Sequence, residues 1–116
     1  MIVNDNAHLV ELFKTALEHQ GIETYTFTDP TLALKKIKAD SNQFYLIIIN
    51  YASQLKRFRG EFAKEVKAIN ENIKVVLTSG YNFSATDISN NGYDEFLLLP
   101  VKLSILVSTA KKLLNL

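Results

Sequence analysis

The run Phe44-Tyr45-Leu46-Ile47-Ile48-Ile49-Asn50 constrains this chain more than any other stretch. Six residues without a charge, half of them β-branched, read as a strand over 44–49 buried on both faces. Such a strand belongs in the middle of a sheet with a layer of helices on either side. The rest of the chain supplies that architecture. Short apolar segments at 1–3, 23–27, 73–78 and 95–99 alternate with segments whose apolar residues recur at helical spacing. Leu9, Leu12, Phe13, Ala16 and Leu17 mark the first helix, with Asp5 or Asn6 as its cap and Gly21 at its end. Asp29-Pro30 caps and opens the second, which continues through Leu34 and Ile37. Phe62, Ala63, Val66 and Ile69 mark a third. A short polar fourth helix fits 84–90, stopped by Gly92, and the last carries Leu103, Leu106, Val107, Ala110, Leu113 and Leu114. Residues 51–60 read as irregular.

Five strands alternating with five helices through short connections imply a parallel sheet with right-handed crossovers. The 116 residues suffice for one domain over 1–116 with a single core. Apolar residues make up 47% and charged residues 22%, an ordinary balance for a globular chain. A net charge of +1 gives no general attraction to nucleic acid or to an anionic membrane. The chain has no cysteine, so disulfides and thiolate metal sites are excluded. His8 and His19 stand too far apart to share a helical turn, which argues against zinc. No apolar run approaches a membrane span, and residues 1–5 lack the basic start of a secretory signal. A cytoplasmic location is the default expectation, with no membrane and no nucleic-acid partner for this domain.

In an open parallel sheet, chemistry gathers at the carboxyl ends of the strands. Those ends are Asn4-Asp5, Asn50-Tyr51, Thr78-Ser79 and Leu99-Pro100. In this order and spacing they resemble the receiver domain of two-component response regulators, and the resemblance covers essentially the whole chain. It implies the flavodoxin-like doubly wound (βα)5 fold, with strand order 2-1-3-4-5. Val3-Asn4-Asp5-Asn6 looks like the family's acidic turn after strand one. Asn50 falls at the phospho-acceptor aspartate, and Thr78-Ser79-Gly80 resembles the hydroxyl turn after strand four. Phe96 matches the switch-like aromatic, and Leu99-Pro100 looks like the family's Lys-Pro with the lysine replaced. Asn91-Gly92-Tyr93-Asp94-Glu95-Phe96 resembles the approach to strand five.

The departures carry the functional expectation. In the family, two acids after strand one and the acceptor aspartate hold Mg²⁺, and the lysine pairs with the phosphoryl group. Formal charge in that pocket is about −2 with the full set; here it is about −1, from Asp5 alone. Mg²⁺ prefers carboxylates, and an amide is no substitute for a carboxylate nucleophile. A buried lysine with too few acids around it would carry a desolvation cost. Leucine removes that cost and adds apolar area, about 2 kcal/mol if fully buried. Asn4, Asn50 and Leu99 therefore depart together, as in a degenerate receiver, or pseudo-receiver, that needs no phosphorylation, no metal and no cofactor.

Each of these residues also has a plain structural role open to it. Asp5 caps a helix, Thr78 bonds nearby backbone, Asn50 satisfies backbone groups, and Phe96 is core. The resemblance implies a protein partner, or self-association, through the face of the fourth helix, fifth strand and last helix. That face would carry Asp87, Tyr93, Glu95, Val101, Lys102, Ile105 and Lys111. The alternative is a sensor for a small molecule or anion, using Asn4, Asp5, Asn50 and Thr78 with Lys56 from the basic cluster Lys56-Arg57-Phe58-Arg59. Ser79-Gly80 is a weak phosphate signal by itself. No nucleophile–base pair and no acid cluster supports an enzyme of another class.

Overall fold

The computed structural model describes residues 1–58 and 61–116, with backbone only for 55–58. In chain order the elements are β1 (Ile2–Val3), α1 (Ala7–His19), β2 (Thr26–Phe27), α2 (Pro30–Ala39), β3 (Leu46–Asn50), α3 (Tyr51–Phe58), α4 (Phe62–Ile69), β4 (Lys74–Ser79), α5 (Ala85–Asn90), β5 (Glu95–Leu98) and α6 (Leu103–Leu114). One 3₁₀ turn, Ser41–Gln43, precedes β3. The strands form one parallel sheet, as the alternation implied, in the order β2-β1-β3-β4-β5 that the resemblance implied.

The two-faced burial of β3 follows from the period of two along a strand. Ile47 and Ile49 enter one core with Val75 and Leu77, covered by Ala33, Leu34 and Ile37 of α2 and by Phe62, Ala63 and Val66 of α4. Leu46 and Ile48 enter the other with Ile2, Val76 and Leu97, covered by Val10, Phe13 and Leu17 of α1 and by Leu106 and Ala110 of α6. Each fully buried aliphatic side chain stabilises by about 1.5–3 kcal/mol. The register is in phase from Leu46 opposite Lys74 to Asn50 opposite Thr78. A slip of one residue would exchange the two cores.

Local signals set the helix ends. The Asn6 side chain accepts from the backbone N–H of His8 at 3.1 Å and Leu9 at 3.2 Å, so Asn6, not Asp5, caps α1. Asp29 accepts from Thr31 N–H at 2.8 Å, with Pro30 in the first helical position. Ser84 caps α5 through Asp87 N–H. Gly92 closes that helix at φ +87°, and a Cβ there would lie 3.4 Å from the Lys64 backbone nitrogen. Both the conformation and the approach of α4 favour glycine.

Three sequence expectations are corrected. Residues 51–58 form α3 rather than an irregular stretch. Tyr51, Leu55 and Phe58 do stand at helical spacing, but α3 follows β3 with no intervening breaker to announce it. The second strand is only Thr26–Phe27, not 23–27, because β1 offers it a two-residue partner. The third strand starts at Leu46 and runs through Asn50; Tyr45 is 68% exposed.

Gln54 of α3 is wholly buried, and its side-chain oxygen accepts from Phe62 N–H at 3.1 Å and from the Tyr93 hydroxyl at 3.0 Å. One amide oxygen thus joins α3, the start of α4 and the segment after α5. Its Nε2 has no hydrogen-bond partner among the described residues. Burial pushes the Tyr93 hydroxyl pKa up to about 12, with the Gln54 bond opposing part of that shift.

Two outcomes follow. Asn6→Ala should destabilise the fold by about 1 kcal/mol and Asp5→Ala by much less, read from paired denaturant melts. Tyr93 keeps its proton in the folded state at a pH where the unfolded chain has lost it. Stability should therefore be full below pH 10 and fall as the pH rises toward 12, by about 1.4 kcal/mol per unit. Tyr93→Phe should remove that part of the alkaline loss; an unchanged alkaline slope would contradict the assignment.

Candidate functional site

The carboxyl edge of the sheet brings the four strand ends together by register alone. Val3 lies opposite Ile49, so Asn4 follows β1 beside Asn50. Asn50 lies opposite Thr78, and Ser79 opposite Leu98. Leu99 N–H then donates to Ser79 carbonyl at 2.8 Å, which holds the end of β5 against β4.

Asn4 is buried, its N–H bonded to Phe27 carbonyl at 3.0 Å. Its side-chain oxygen accepts from Asn6 N–H at 2.9 Å, which shapes the turn into α1. Asp5 is exposed and meets α3: its N–H donates to Ser53 Oγ at 3.1 Å, and that hydroxyl donates to Asp5 Oδ1 at 3.2 Å. Ser53 was absent from the sequence-derived set. Its signal was its place three residues after Asn50, readable only once α3 is known to be helical.

Thr78 is buried and its hydroxyl donates to Asn50 Oδ1 at 3.4 Å. Thr78 and Asn50 thus meet through their side chains. Ser79 is buried too, and its Oγ accepts from Tyr81 N–H at 2.9 Å, folding the next loop back on the strand. Leu99 is half-buried and packs on the α1–α6 core, so its gain is less than that of a fully buried leucine.

The donor set does not fit Mg²⁺. Asp5 is the one carboxylate among Asn4, Asp5, Asn50, Thr78 and Leu99, and it already bonds Ser53. The amide oxygens of Asn4 and Asn50 each accept an internal hydrogen bond. Among the described residues, no three His, Asp or Glu side chains converge as a metal site would need. The side chains of the basic cluster at 56–59, Lys56 included, lie outside the described residues.

Around this edge an aromatic row runs from Tyr51, the first residue of α3, through Phe83 to Phe96 on β5. Tyr51 and Phe83 meet edge-on at 4.8 Å between ring centres, and Phe83 and Phe96 at 5.6 Å. Phe96 is half-buried against the α2–α4 core, so it is neither free nor fully enclosed.

Of the residues expected on the α5–β5–α6 face, one is buried. Tyr93 is not on it; the ring is buried and the hydroxyl points to Gln54. The expectation failed because an aromatic after a helix stop reads equally well as surface or core. Asp87 and Lys102 are exposed, Val101, Glu95 and Lys111 half-buried, and Ile105 is 47% exposed. Glu95 accepts from Lys112 Nζ at 3.1 Å. Leu98, which the sequence reading did not single out, is 46% exposed at the strand edge.

No protein-family model and no curated protein matches the chain. Solved structures do. A response regulator receiver domain protein from Clostridium thermocellum aligns at TM-score 0.88 and 22% identity, over 98% of this chain and 91% of that one. A two-component response regulator from Clostridium difficile aligns at 0.84 and 23%, over 98% and 93%. NtrX from Brucella abortus aligns at 0.83 and 26% over 98% of this chain, which spans about a quarter (26%) of that longer protein. The fold is that of the response-regulator receiver domains.

Proposed function

We propose that this chain is a degenerate receiver, a single domain over 1–116 that works as a phosphorylation-independent protein-interaction module in signal transduction rather than as an enzyme. One observation carries the reading: the oxygen at the acceptor position belongs to the amide of Asn50 and accepts from the Thr78 hydroxyl, while Asp5 is the one carboxylate among Asn4, Asp5, Asn50, Thr78 and Leu99. Receiver chemistry needs a carboxylate nucleophile and the charge of a divalent cation. An amide supplies neither, and leucine at 99 offers no cation for a phosphoryl group. The receiver fold of the neighbouring structures supports a role in two-component signalling.

The interaction surface in this reading is the α5–β5–α6 face. Exposed Leu98 and Ile105, with half-buried Val101, form an apolar centre. Asp87, Lys102 and the Glu95–Lys112 ion pair form a charged rim. An apolar centre with a polar rim is the usual anatomy of a modest protein interface. The occupant is a protein partner or a second copy. No helix is long and apolar enough to cross a membrane among the described residues, and we assign the domain to the cytoplasm with those signalling partners. An anion or metabolite at the same edge would have to displace the Asn50–Thr78 bond, so the sensor reading has less support.

Incubation with acetyl phosphate and Mg²⁺ should leave the intact mass unchanged. Asn50→Asp alone should label only at background level, because Asn4 and Leu99 remain. Rapid Mg²⁺-dependent gain of one phosphoryl group by either protein would refute the reading. On the face, Ile105→Glu should leave stability within about 0.5 kcal/mol. If a second copy is the occupant, the same change should abolish concentration-dependent association in sedimentation.

A further inference from the structure

Helix α4 begins without a cap of its own. Glu61, the residue before it, makes no side-chain bond to the first turn. Its carbonyl accepts from the backbone N–H of Lys64 at 3.1 Å and of Glu65 at 3.3 Å. The N–H groups of Phe62 and Ala63 are left to be met from elsewhere. Phe62 N–H donates to Gln54 Oε1 at 3.1 Å, and Ala63 N–H donates to the Tyr93 hydroxyl. That hydroxyl donates in turn to the same Gln54 oxygen at 3.0 Å. One side chain from α3 and one from the lead-in to β5 thus do together what a Ser or Asp does alone at an ordinary helix start. Gln54, Phe62, Ala63 and Tyr93 are all buried. A donor that loses its partner there is left unmet, with no water to replace it.

Both outside residues are tied to other places as well. Gln54 follows Ser53, whose hydroxyl bonds Asp5 after β1, and both lie in a helix that starts directly after Asn50. Tyr93 lies between Gly92, packed on the Ala63–Lys64 backbone, and Asp94. The Asp94 carboxylate accepts from Lys67 Nζ of α4 at 2.7 Å and from Val75 N–H at 2.8 Å. The Tyr93 end of the junction is therefore well anchored. The α3 end is less so: its tie to Asp5 is exposed, and the buried Gln54 Nε2 has no partner among the described residues. An unmet buried amide is a standing cost of docking, which water would relieve on release.

We propose that α3 is a strap fastened by Gln54: docked, it caps α4 together with Tyr93 and holds Ser53 on Asp5; undocked, it uncaps α4 and frees the carboxyl edge in the same event. Whatever binds the undocked edge better than the docked one would therefore loosen the start of α4. This goes beyond the interaction-module reading and does not depend on it, since neither a phosphodonor nor a partner enters the test.

Hydrogen exchange of the whole chain, followed by NMR, compares the wild type with Gln54→Met and Tyr93→Phe. Gln54→Met keeps the length of the side chain but offers neither donor an acceptor. It should speed exchange of the Phe62 and Ala63 amides by about tenfold relative to the β3 amides, which report global opening. The α3 amides should accelerate with them. Tyr93→Phe removes one oxygen on an element other than α3 and β1. It should also speed the α3 amides, and move the Asp5 amide signal toward its position in Ser53→Ala, where that tie is absent. Should Gln54→Met fail to fold, Tyr93→Phe carries the test by itself. Faster exchange confined to the first turn of α4, with α3 and the Asp5 signal as in the wild type, would overturn the proposal. So would acceleration of every amide by the same factor as β3.

Discussion

Burial of β3 on both faces is the interaction on which the rest of the molecule depends. Ile47 and Ile49 face one core while Leu46 and Ile48 face the other, so neither layer of helices forms without this strand. A strand pinned from both sides has one register with its neighbours. That register delivers Asn50 beside the end of β1 and opposite Thr78. The candidate site is a by-product of core packing: the isoleucines choose where the amide stands.

Polar residues at that edge then satisfy one another rather than waiting for a ligand. Asn4 holds the turn into α1, Asp5 and Ser53 tie that turn to α3, Thr78 bonds Asn50, and Ser79 folds the following loop. An acidic pocket would repel itself without a bound cation; the arrangement here has no such need. Low formal charge and internal bonding go together at this edge.

The aromatic row extends this logic toward the surface. Edge-to-face contacts from Tyr51 through Phe83 to Phe96 connect the amide edge to the strand carrying exposed Leu98. Below the row, Gln54 gathers α3, α4 and Tyr93 on one oxygen. Both features concentrate on the side of the sheet where α3, α4 and α5 meet. Both depend on a helix, α3, that follows its strand without a linker.

Much of the architecture was legible in the residues. Alternation of apolar runs with helical spacing implied the parallel sheet, the resemblance implied its strand order, and caps such as Asp29-Pro30 and stops such as Gly21 and Gly92 implied the helix ends. The residue types at positions 4, 50, 78 and 99 are likewise facts of the sequence, and with them the shortage of negative charge at the edge. Pairings were not legible, because they are set by neighbours distant along the chain. The sequence could not reveal that Asn6 rather than Asp5 would cap α1, since both stand within reach of the helix start. Nor could it reveal that Ser53 would meet Asp5 across 48 residues, that Tyr93 would turn inward to Gln54 across 39, or that Phe83 would sit between two rings from other elements. The chemistry available at the edge was determined by residue identity, because charge and nucleophilicity belong to side chains. Which of those side chains bond to one another was decided only by tertiary packing, because hydrogen bonds and ring contacts depend on distances that no local pattern encodes.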